Sequence, residues 1–348
     1  MKKILVTGGC GYIGSHTCLS LIEKGYEIVV IDSNINSSPK ALKKIEKILS
    51  NKPNNQKIHF EKGDIRDENF LTNVFTKAIK ESQPITAVIH FAGLKAVGES
   101  VQNPLLYWDV NLNGSISLFK VMESFNCKTI VFSSSATIYG KVETNPINES
   151  FPIRPYNPYG YTKASIEFML NGLFNSCEPA WRIANLRYFN PIGAHESGLI
   201  GENPSNKPNN IFPILCKVAY GIYEKLNVYG NDWPTLDGTG IRDYIHVMDL
   251  ADSHLSALEH LENNDPQILD LNIGTGIGTS VLELIETFQE VNECKVPHVF
   301  CDRRPGDVDV VIADNTKAVK LLEWFPKKKL YEMCRDGWLW QKQNPNGF

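Results

Sequence analysis

Gly8, Gly11 and Gly14 are spaced three residues apart and follow directly on the apolar run Ile4-Leu5-Val6. That run is β-branched at two of its three positions and reads as a buried strand. Beyond the glycines, Ile13, Cys18, Leu19 and Ile22 recur at helical spacing, and Gly25 closes the helix. Strand, glycine turn and helix in this order is the context that a dinucleotide fingerprint needs. One glycine permits the tight turn, one lets the backbone approach a pyrophosphate, and one lets the helix lie against the strand. The helix N-terminus then offers free N–H groups and a positive dipole end to phosphates. A second strand, Glu27 to Ile31, runs into Asp32, an acidic residue at about the 20-residue offset that a dinucleotide fingerprint needs. Its carboxylate suits an adenosine ribose and repels a 2′-phosphate. Ser33-Asn34-Ile35-Asn36 follows without an arginine, which favours NAD over NADP.

The alternation continues. Lys40 to Leu49 predicts an amphipathic helix with Leu42, Ile45 and Leu49 on one face, and Asn51 to Asn55 a loop. Lys57 to Glu61 predicts a third strand, and Asp67 a helix cap. Asp64, at the end of that strand, can meet an adenine amino group or simply serve the strand-to-helix turn. Ala87 to Gly93 predicts a fourth strand ending in the small residues Ala92 and Gly93, where a cofactor can approach, with Lys95 close behind. His90 reads as a satisfied core histidine. Pro104 to Phe125 reads as one long helix, apolar around much of its circumference, which predicts packing on the sheet and on a second subunit, hence a homodimer. Lys128 to Phe132 predicts a fifth strand, and Ile183 to Asn190 a sixth.

The order implies an α/β fold: a Rossmann-type doubly wound parallel sheet over residues 1–190, then a smaller C-terminal α/β substrate lobe over 191–348, with some chain crossing back. In the second part helices are expected over Ile211 to Tyr223, Val247 to Leu261 and Ser280 to Val291, and strands over Leu226 to Gly230 and Ile268 to Asn272. Gly274-Thr275-Gly276-Ile277-Gly278 reads as a tight turn rather than a second fingerprint, because no strand ending in an acidic residue follows it.

Two stretches carry candidate chemistry. Ser133-Ser134-Ser135 ends the fifth strand, where a hydroxyl faces the ligand cleft of a doubly wound sheet. Tyr159 and Lys163 are four apart and share a helix face. A free tyrosine with a pKa near 10 is a poor base at neutral pH. A lysine one turn away and a positive nicotinamide ring favour the phenolate. Tyr-x-x-x-Lys arises often by chance. After a nucleotide domain and a strand-end serine it reads as a proton-transfer constellation. Arg303-Arg304-Pro305-Gly306-Asp307, together with Arg242, is a plausible diphosphate clamp.

Composition narrows the partners. The net charge is −4 over 348 residues with no basic stripe, which argues against nucleic acid. The cluster Lys327-Lys328-Lys329 reads as a solvated loop. The eight cysteines include Cys177 and form no C-x-x-C pair or zinc spacing. They read as free thiols in a reducing compartment, with no metal site. No run is long enough to span a bilayer, so a cytoplasmic enzyme off the membrane is expected.

From about residue 3 to the C-terminus the chain resembles the extended short-chain dehydrogenase/reductases that act on nucleotide-sugars. The resemblance is carried by Thr7-Gly8-Gly9-Cys10-Gly11-Tyr12-Ile13-Gly14-Ser15-His16-Thr17, by the stretches from His90 to Ser100 and from Phe132 to Gly140, by Leu186 to His195, and by Asp237 to Ala251. It implies tightly held NAD and 4-epimerisation of a UDP-hexose, UDP-galactose to UDP-glucose, through a transient 4-keto sugar and enzyme-bound NADH. Tyr159 would take the 4-hydroxyl proton, Lys163 would hold the cofactor ribose and tune Tyr159, and Ser135 would bond the reacting oxygen. To the cofactor it assigns Gly8, Gly11, Tyr12, Ile13, Gly14, Asp32, Asn36, Asp64, Ile65, Phe91, Ala92, Gly93, Lys95 and Phe189, beside Ser135, Tyr159 and Lys163. To the UDP-sugar it assigns Lys95, Ser135, Tyr159, Asn190, Asn209, Asn210, Ile211, Asn227, Val228, Tyr229, Arg242, Arg304, Asp307 and Val311. Sister dehydratases and decarboxylases need an acidic residue just after the strand-end hydroxyl, where this chain has Ala136 and Thr137. The alternatives are an epimerase of another nucleotide-sugar, such as UDP-glucuronate, and a non-catalytic dinucleotide sensor, which would be expected to lose the intact Tyr159/Lys163 pair. Ser33 and Pro305 stand where many members carry Asn and Glu. Val311 stands where members carry either a bulky tyrosine or a small residue, and leaves room for an N-acetyl group.

Overall fold

The structure is a computed structural model that describes residues 2–50, 58–142, 144–176, 180–204, 208–304 and 306–348. The expected loop at 51–55, the start of the third strand at Lys57, Cys177 and Pro305 lie outside the described residues.

The chain alternates strand and helix from its start: β1 (Lys3–Thr7), α1 (Tyr12–Lys24), β2 (Glu27–Asp32), α2 (Lys40–Leu49), β3 (His59–Lys62), α3 (Glu68–Lys80) and β4 (Ile85–His90). A broken helical run follows, α4 (Val97–Gln102), α5 (Pro104–Tyr107), a π-helical segment at Trp108–Asn113 and α6 (Gly114–Ser124). Then come β5 (Thr129–Ser135), a 3₁₀ turn at Ala136–Tyr139, α7 (Pro158–Phe174), β6 (Arg182–Tyr188) and β7 (Asn190–Ile192). The remainder holds α8 (Ile211–Ala219), β8 (Leu226–Tyr229), β9 (Ile241–Arg242), β10 (Tyr244–His246), α9 (Val247–Asn263) and β11 (Ile268–Ile273). It ends with β12 (Thr279–Ser280), α10 (Val281–Asn292), β13 (His298–Cys301), β14 (Val310–Val311), α11 (Thr316–Leu322) and α12 (Leu330–Gln343).

Seven strands form the central sheet in the order β11-β6-β5-β4-β1-β2-β3, all parallel. This is the doubly wound arrangement expected. The order reverses between β1 and β4, and ligands of such sheets bind at that switch, outside the carboxyl ends of the strands. Every residue of β1 is buried, as a strand covered on both faces requires. Successive side chains alternate between faces. Ile4 and Val6 join the core under α1, α2 and α9, with Leu19, Ile22, Val30 and Leu258. Leu5 joins the opposite core under α3, α6 and α7, with Phe75, Leu118 and Leu170. β11 and α9, though far along the chain, belong to this first body.

The long helix expected over 104–125 is interrupted by the π segment. Its cause is tertiary. Asn111 is buried, accepts from Leu94 N at 2.7 Å, and donates to Leu94 O at 3.0 Å and Thr162 Oγ1 at 3.1 Å. The wider turn presents this amide to the loop after β4 and to α7. The helix expected over 211–223 stops at Ala219, and Gly221 turns left-handed at φ +86°. Ser133, Ser134 and Ser135 are the last residues of β5.

The smaller body carries short pairings, β7 with β10, β8 with β13, and β12-β9-β14, over a core of Phe212, Leu215, Val228, Tyr244, Phe288 and Trp338. The glycine turn 274–278 closes around the buried carboxylate of Asp243. Thr275 N and Oγ1 donate to it at 2.7 and 2.6 Å, Gly276 N at 2.9 Å and Ala313 N at 3.1 Å. This turn therefore serves an internal anion and fixes Arg242 beside β14.

Candidate active site

The first wall of the cleft is backbone. α1 is N-capped by Gly11 with no side-chain cap, so its first turn, at Tyr12 and Ile13, presents open N–H groups. Gly8 has φ +70°, and a side chain there would meet Ala92 N at 2.7 Å. A side chain at Gly14 would lie 2.4 Å from the Gly8 carbonyl. These glycines are required by the chain's own packing, Gly8 against the loop after β4 and Gly14 against Gly8, and the open N-terminus of α1 beside them is where a pyrophosphate would bind. The buried Asp32 carboxylate accepts Asn34 N (2.8 Å) and Ser37 Oγ (2.7 Å) on one oxygen. Its other oxygen takes Cys10 N at 3.0 Å, and a carboxylate oxygen with two lone pairs can accept a ribose hydroxyl as well. These residues fit NAD.

Other predicted cofactor positions ring this wall. Asn36 is exposed in the turn after Asp32. Ile65 is buried beneath Gly114. Ala92 N bonds Thr7 Oγ1 at 3.2 Å, Gly93 faces Asn111, and Phe91 stacks on His254 with centroids 4.8 Å apart. Asp64 is engaged by Arg66 through its backbone and guanidinium, at 2.6–3.0 Å. That pairing holds its carboxyl below the usual range. His90 is satisfied by Thr7 Oγ1 at 2.7 Å and Ser115 Oγ at 3.0 Å, and burial lowers its pKa to about 3, so it stays neutral.

The centre of the cleft brings Ser135, Tyr159 and Lys163 together. Ser135 Oγ accepts from Thr137 Oγ1 at 3.0 Å and Thr137 N at 3.3 Å. Thr137 thus anchors Ser135, a role the sequence reading did not give it. Ser135 in turn draws the Tyr159 phenol pKa down. Burial outweighs it and lifts Tyr159 to about 12. Lys163 makes no contribution to that balance. The ammonium donates to the Ser133 carbonyl at 2.6 Å and sits 5.9 Å from the centroid of the Tyr159 ring. Lys163 is itself buried, which drives its pKa down to about 7 against an upward pull from Glu167.

Beneath this group lies a buried network that the sequence reading missed. Glu167, one turn after Lys163, takes Arg187 Nε at 3.1 Å and Nη2 at 2.7 Å, and also Ser134 Oγ. Arg187 donates to the Tyr139 hydroxyl at 2.9 Å, which donates to Asn272 Oδ1 at 2.7 Å. Buried charges are tolerated when paired and saturated in this way. The network ties β5, β6, β11 and α7 together behind the reactive face. The Lys-x-x-x-Glu spacing was its one sequence signal.

The second wall is built of side chains. Phe189 is buried, and Val311 packs on the same small cluster. Asn190 opens β7, with its N–H on Asp243 O at 3.0 Å. Arg242 donates to the carbonyls of Ile241, Val308 and Asp309 at 2.8–3.3 Å, and is register partner of Val311. Arg304 lies over the Tyr229 ring at 4.7 Å and pairs with Asp307 at 2.9 Å. On β8, Asn227 and Tyr229 are exposed and Val228 is buried. Asn209 and Asn210 are exposed before α8, and Ile211 opens it. Lys95 reaches across the cleft to Glu202 at 3.0 Å. Among the described residues no His, Cys, Asp or Glu cluster could hold a metal ion.

Sheet order, glycine cradle and the Ser-Tyr-Lys group define a dinucleotide-dependent enzyme of the short-chain dehydrogenase/reductase type. Residues 5–337 match the family model described as GDP-mannose 4,6 dehydratase. UDP-glucose 4-epimerase of Bacillus subtilis (strain 168) is 50% identical over 345 residues, covering 99% of this chain and 98% of its own. Among solved structures, the UDP-glucose 4-epimerase of Bifidobacterium longum in complex with NAD⁺ and UDP superposes with TM-score 0.93 at 44% identity, over all of both chains. The enzyme from Stenotrophomonas maltophila, with bound NAD and formylated UDP-arabinopyranose, gives TM-score 0.93 at 42% identity over 99% of this chain and 98% of its own. The chain belongs to the UDP-glucose 4-epimerase family.

Proposed function

We propose that this chain is an NAD-dependent epimerase that interconverts UDP-galactose and UDP-glucose. The observation that carries it is the Ser135–Tyr159–Lys163 group at the switch-point cleft, between the glycine cradle and the Arg242/Arg304 wall. Bound NAD supplies the acceptor and later donor of the hydride at sugar C4. Tyr159 Oη removes the 4-hydroxyl proton and returns it after the sugar has turned its other face. Ser135 holds the reacting oxygen as a donor. Lys163 would hold the cofactor ribose, and the positive charge that the cofactor supplies would favour the Tyr159 phenolate. Asp32 takes the adenosine ribose. Arg242 and Arg304 clamp the diphosphate, with Asp307, Asn190, Asn209, Asn210, Ile211, Asn227, Val228 and Tyr229 shaping the rest of the UDP-sugar site. The cofactor part is assigned to 1–190 and the substrate lobe to 191–348, apart from the chain that crosses back.

Purified protein with no added cofactor is incubated with UDP-galactose, and UDP-glucose is followed by NMR beside Tyr159→Phe. Conversion that the variant loses supports the reading. NAD in the protein with the sugar unchanged would point to another nucleotide-sugar. Val311 favours a second substrate class: partly buried on β14 beside Arg242, it leaves room for an N-acetyl group, and Val311→Tyr should remove turnover of UDP-N-acetylglucosamine while sparing UDP-galactose.

The protein is assigned as a homodimer through α4, α5 and α7, where Val101, Leu105, Leu106 and Phe168 expose apolar side chains, Leu105 at 81%. A cytoplasmic location accords with free cysteines. No described helix is long and apolar enough to cross a membrane.

A further inference from the structure

Glu202 stands where the two bodies meet, outside the reaction centre. Its segment is pinned to α12: Trp340 Nε1 donates to the Glu202 carbonyl at 3.3 Å, and a side chain at Gly201 would run into the Trp340 ring. From that anchor the carboxylate crosses the cleft to Lys95 in the first body, Nζ to Oε1 at 3.0 Å. The same oxygen accepts from Asn210 Nδ2 at 3.4 Å, at the start of α8. Glu202 is 11% exposed and Lys95 49%, so one partner is held by the fold and the other can swing. A second bridge lies alongside. The Tyr12 hydroxyl donates to the Gly193 carbonyl at 2.7 Å, close enough to Glu202 that, after burial, this carboxylate is what most raises the Tyr12 pKa. Both bridges start from the two first-body loops that form the glycine cradle, the one opening α1 and the one after β4. Both end on the second body.

We propose that Glu202 is a cofactor-retention residue. Through Lys95, with Asn210 steadying the same carboxylate oxygen from its own side, it clasps the second body over the dinucleotide groove, and NAD leaves only when the clasp opens. The proposal rests on the NAD-dependent reading above. Glu202 also fixes the Lys95 ammonium between a carboxylate and the groove, where a diphosphate needs a cation. A single half-exposed ion pair contributes little to folding, so its removal acts on release rather than on the fold. It is also open to screening by salt, whose Debye length is about 8 Å at physiological ionic strength.

Exchange of bound NAD against labelled NAD is measured at low and high salt for wild type, Glu202→Gln and Glu202→Asp, with melting temperature and circular dichroism as controls. Glu202→Gln is expected to exchange about tenfold faster, about 1.4 kcal/mol of retention, with an unchanged melt. Salt should speed exchange in wild type and leave the variant flat, with Glu202→Asp in between. A wild-type rate and wild-type salt response in Glu202→Gln overturn the proposal. If that variant does not fold, Trp340→Phe, which frees the segment but keeps the carboxylate, must speed exchange, and no change overturns it. Wild-type protein that neither carries nor takes up NAD would overturn the cofactor reading itself.

Discussion

The two walls of the cleft differ in what they are made of. The cradle wall is backbone at close approach, with Gly8 and Gly14 leaving no room for a β-carbon and Gly11 little. The opposite wall is side chains on short strands and a loop, with Arg304 half-exposed over Tyr229. The first wall has one solution, because backbone atoms cannot be moved aside. The second can be retuned residue by residue, because long side chains re-pack at small cost. A family that keeps one cofactor and varies its sugars needs this division, and Tyr159 lies on the seam.

The largest effect should come at the seam. Tyr159→Phe removes the proton acceptor and is expected to cut kcat by about 10²–10⁴-fold while the purified protein keeps its NAD, read from the absorbance ratio. Loss of NAD as well would place Tyr159 in the cradle instead. Next comes the cradle. Gly14→Ala puts a β-carbon 2.4 Å from the Gly8 carbonyl and 2.8 Å from Gly9 Cα, and should yield protein without NAD, destabilised by about 1–3 kcal/mol in denaturant melts. If it keeps NAD, the backbone wall is softer than its geometry says. On the side-chain wall, Arg304→Ala should raise KM for UDP-galactose about tenfold and leave kcat within about twofold, as loss of a charged hydrogen bond implies. A fall in kcat with KM unchanged would tie this wall to the chemistry.

An effect on stability rather than activity is a pH dependence in cofactor-free protein. The native Lys163 gives up its proton near 7, whereas the unfolded chain keeps it to the ordinary 10.5. Between these values the unfolded state binds more protons, so stability rises as pH rises through the window. Lys163→Met should flatten that rise in melting temperature measured from neutral to alkaline pH. An equal slope in the variant would assign the rise to other groups.

Much of the first wall was legible because its signals are local. The apolar run, the glycine spacing and Asp32 lie within one βαβ unit, and the strand-end serines and Tyr159/Lys163 pair keep short spacings. The π segment was not legible: apolar periodicity does not register a widened turn whose cause, the bonding of Asn111 to Leu94 and Thr162, lies in other elements. Nor was the Glu167–Arg187–Tyr139–Asn272 network, whose members come from four elements. The upward shift at Tyr159 escaped the sequence because charge spacing is visible in a chain and burial is not.

The sequence by itself determined the strand–glycine–helix nucleus, the preference for NAD at Asp32 and the residue types available for proton transfer, since each depends on backbone conformation or chemistry within a few positions. Only the tertiary structure decided that β11 completes the first sheet beside β6, that Thr137 anchors the Ser135 hydroxyl, and that the glycine turn at 274–278 wraps the Asp243 carboxylate. Those outcomes depend on which distant groups meet once both faces of the sheet are covered, and on how much water is then excluded from the charges between them.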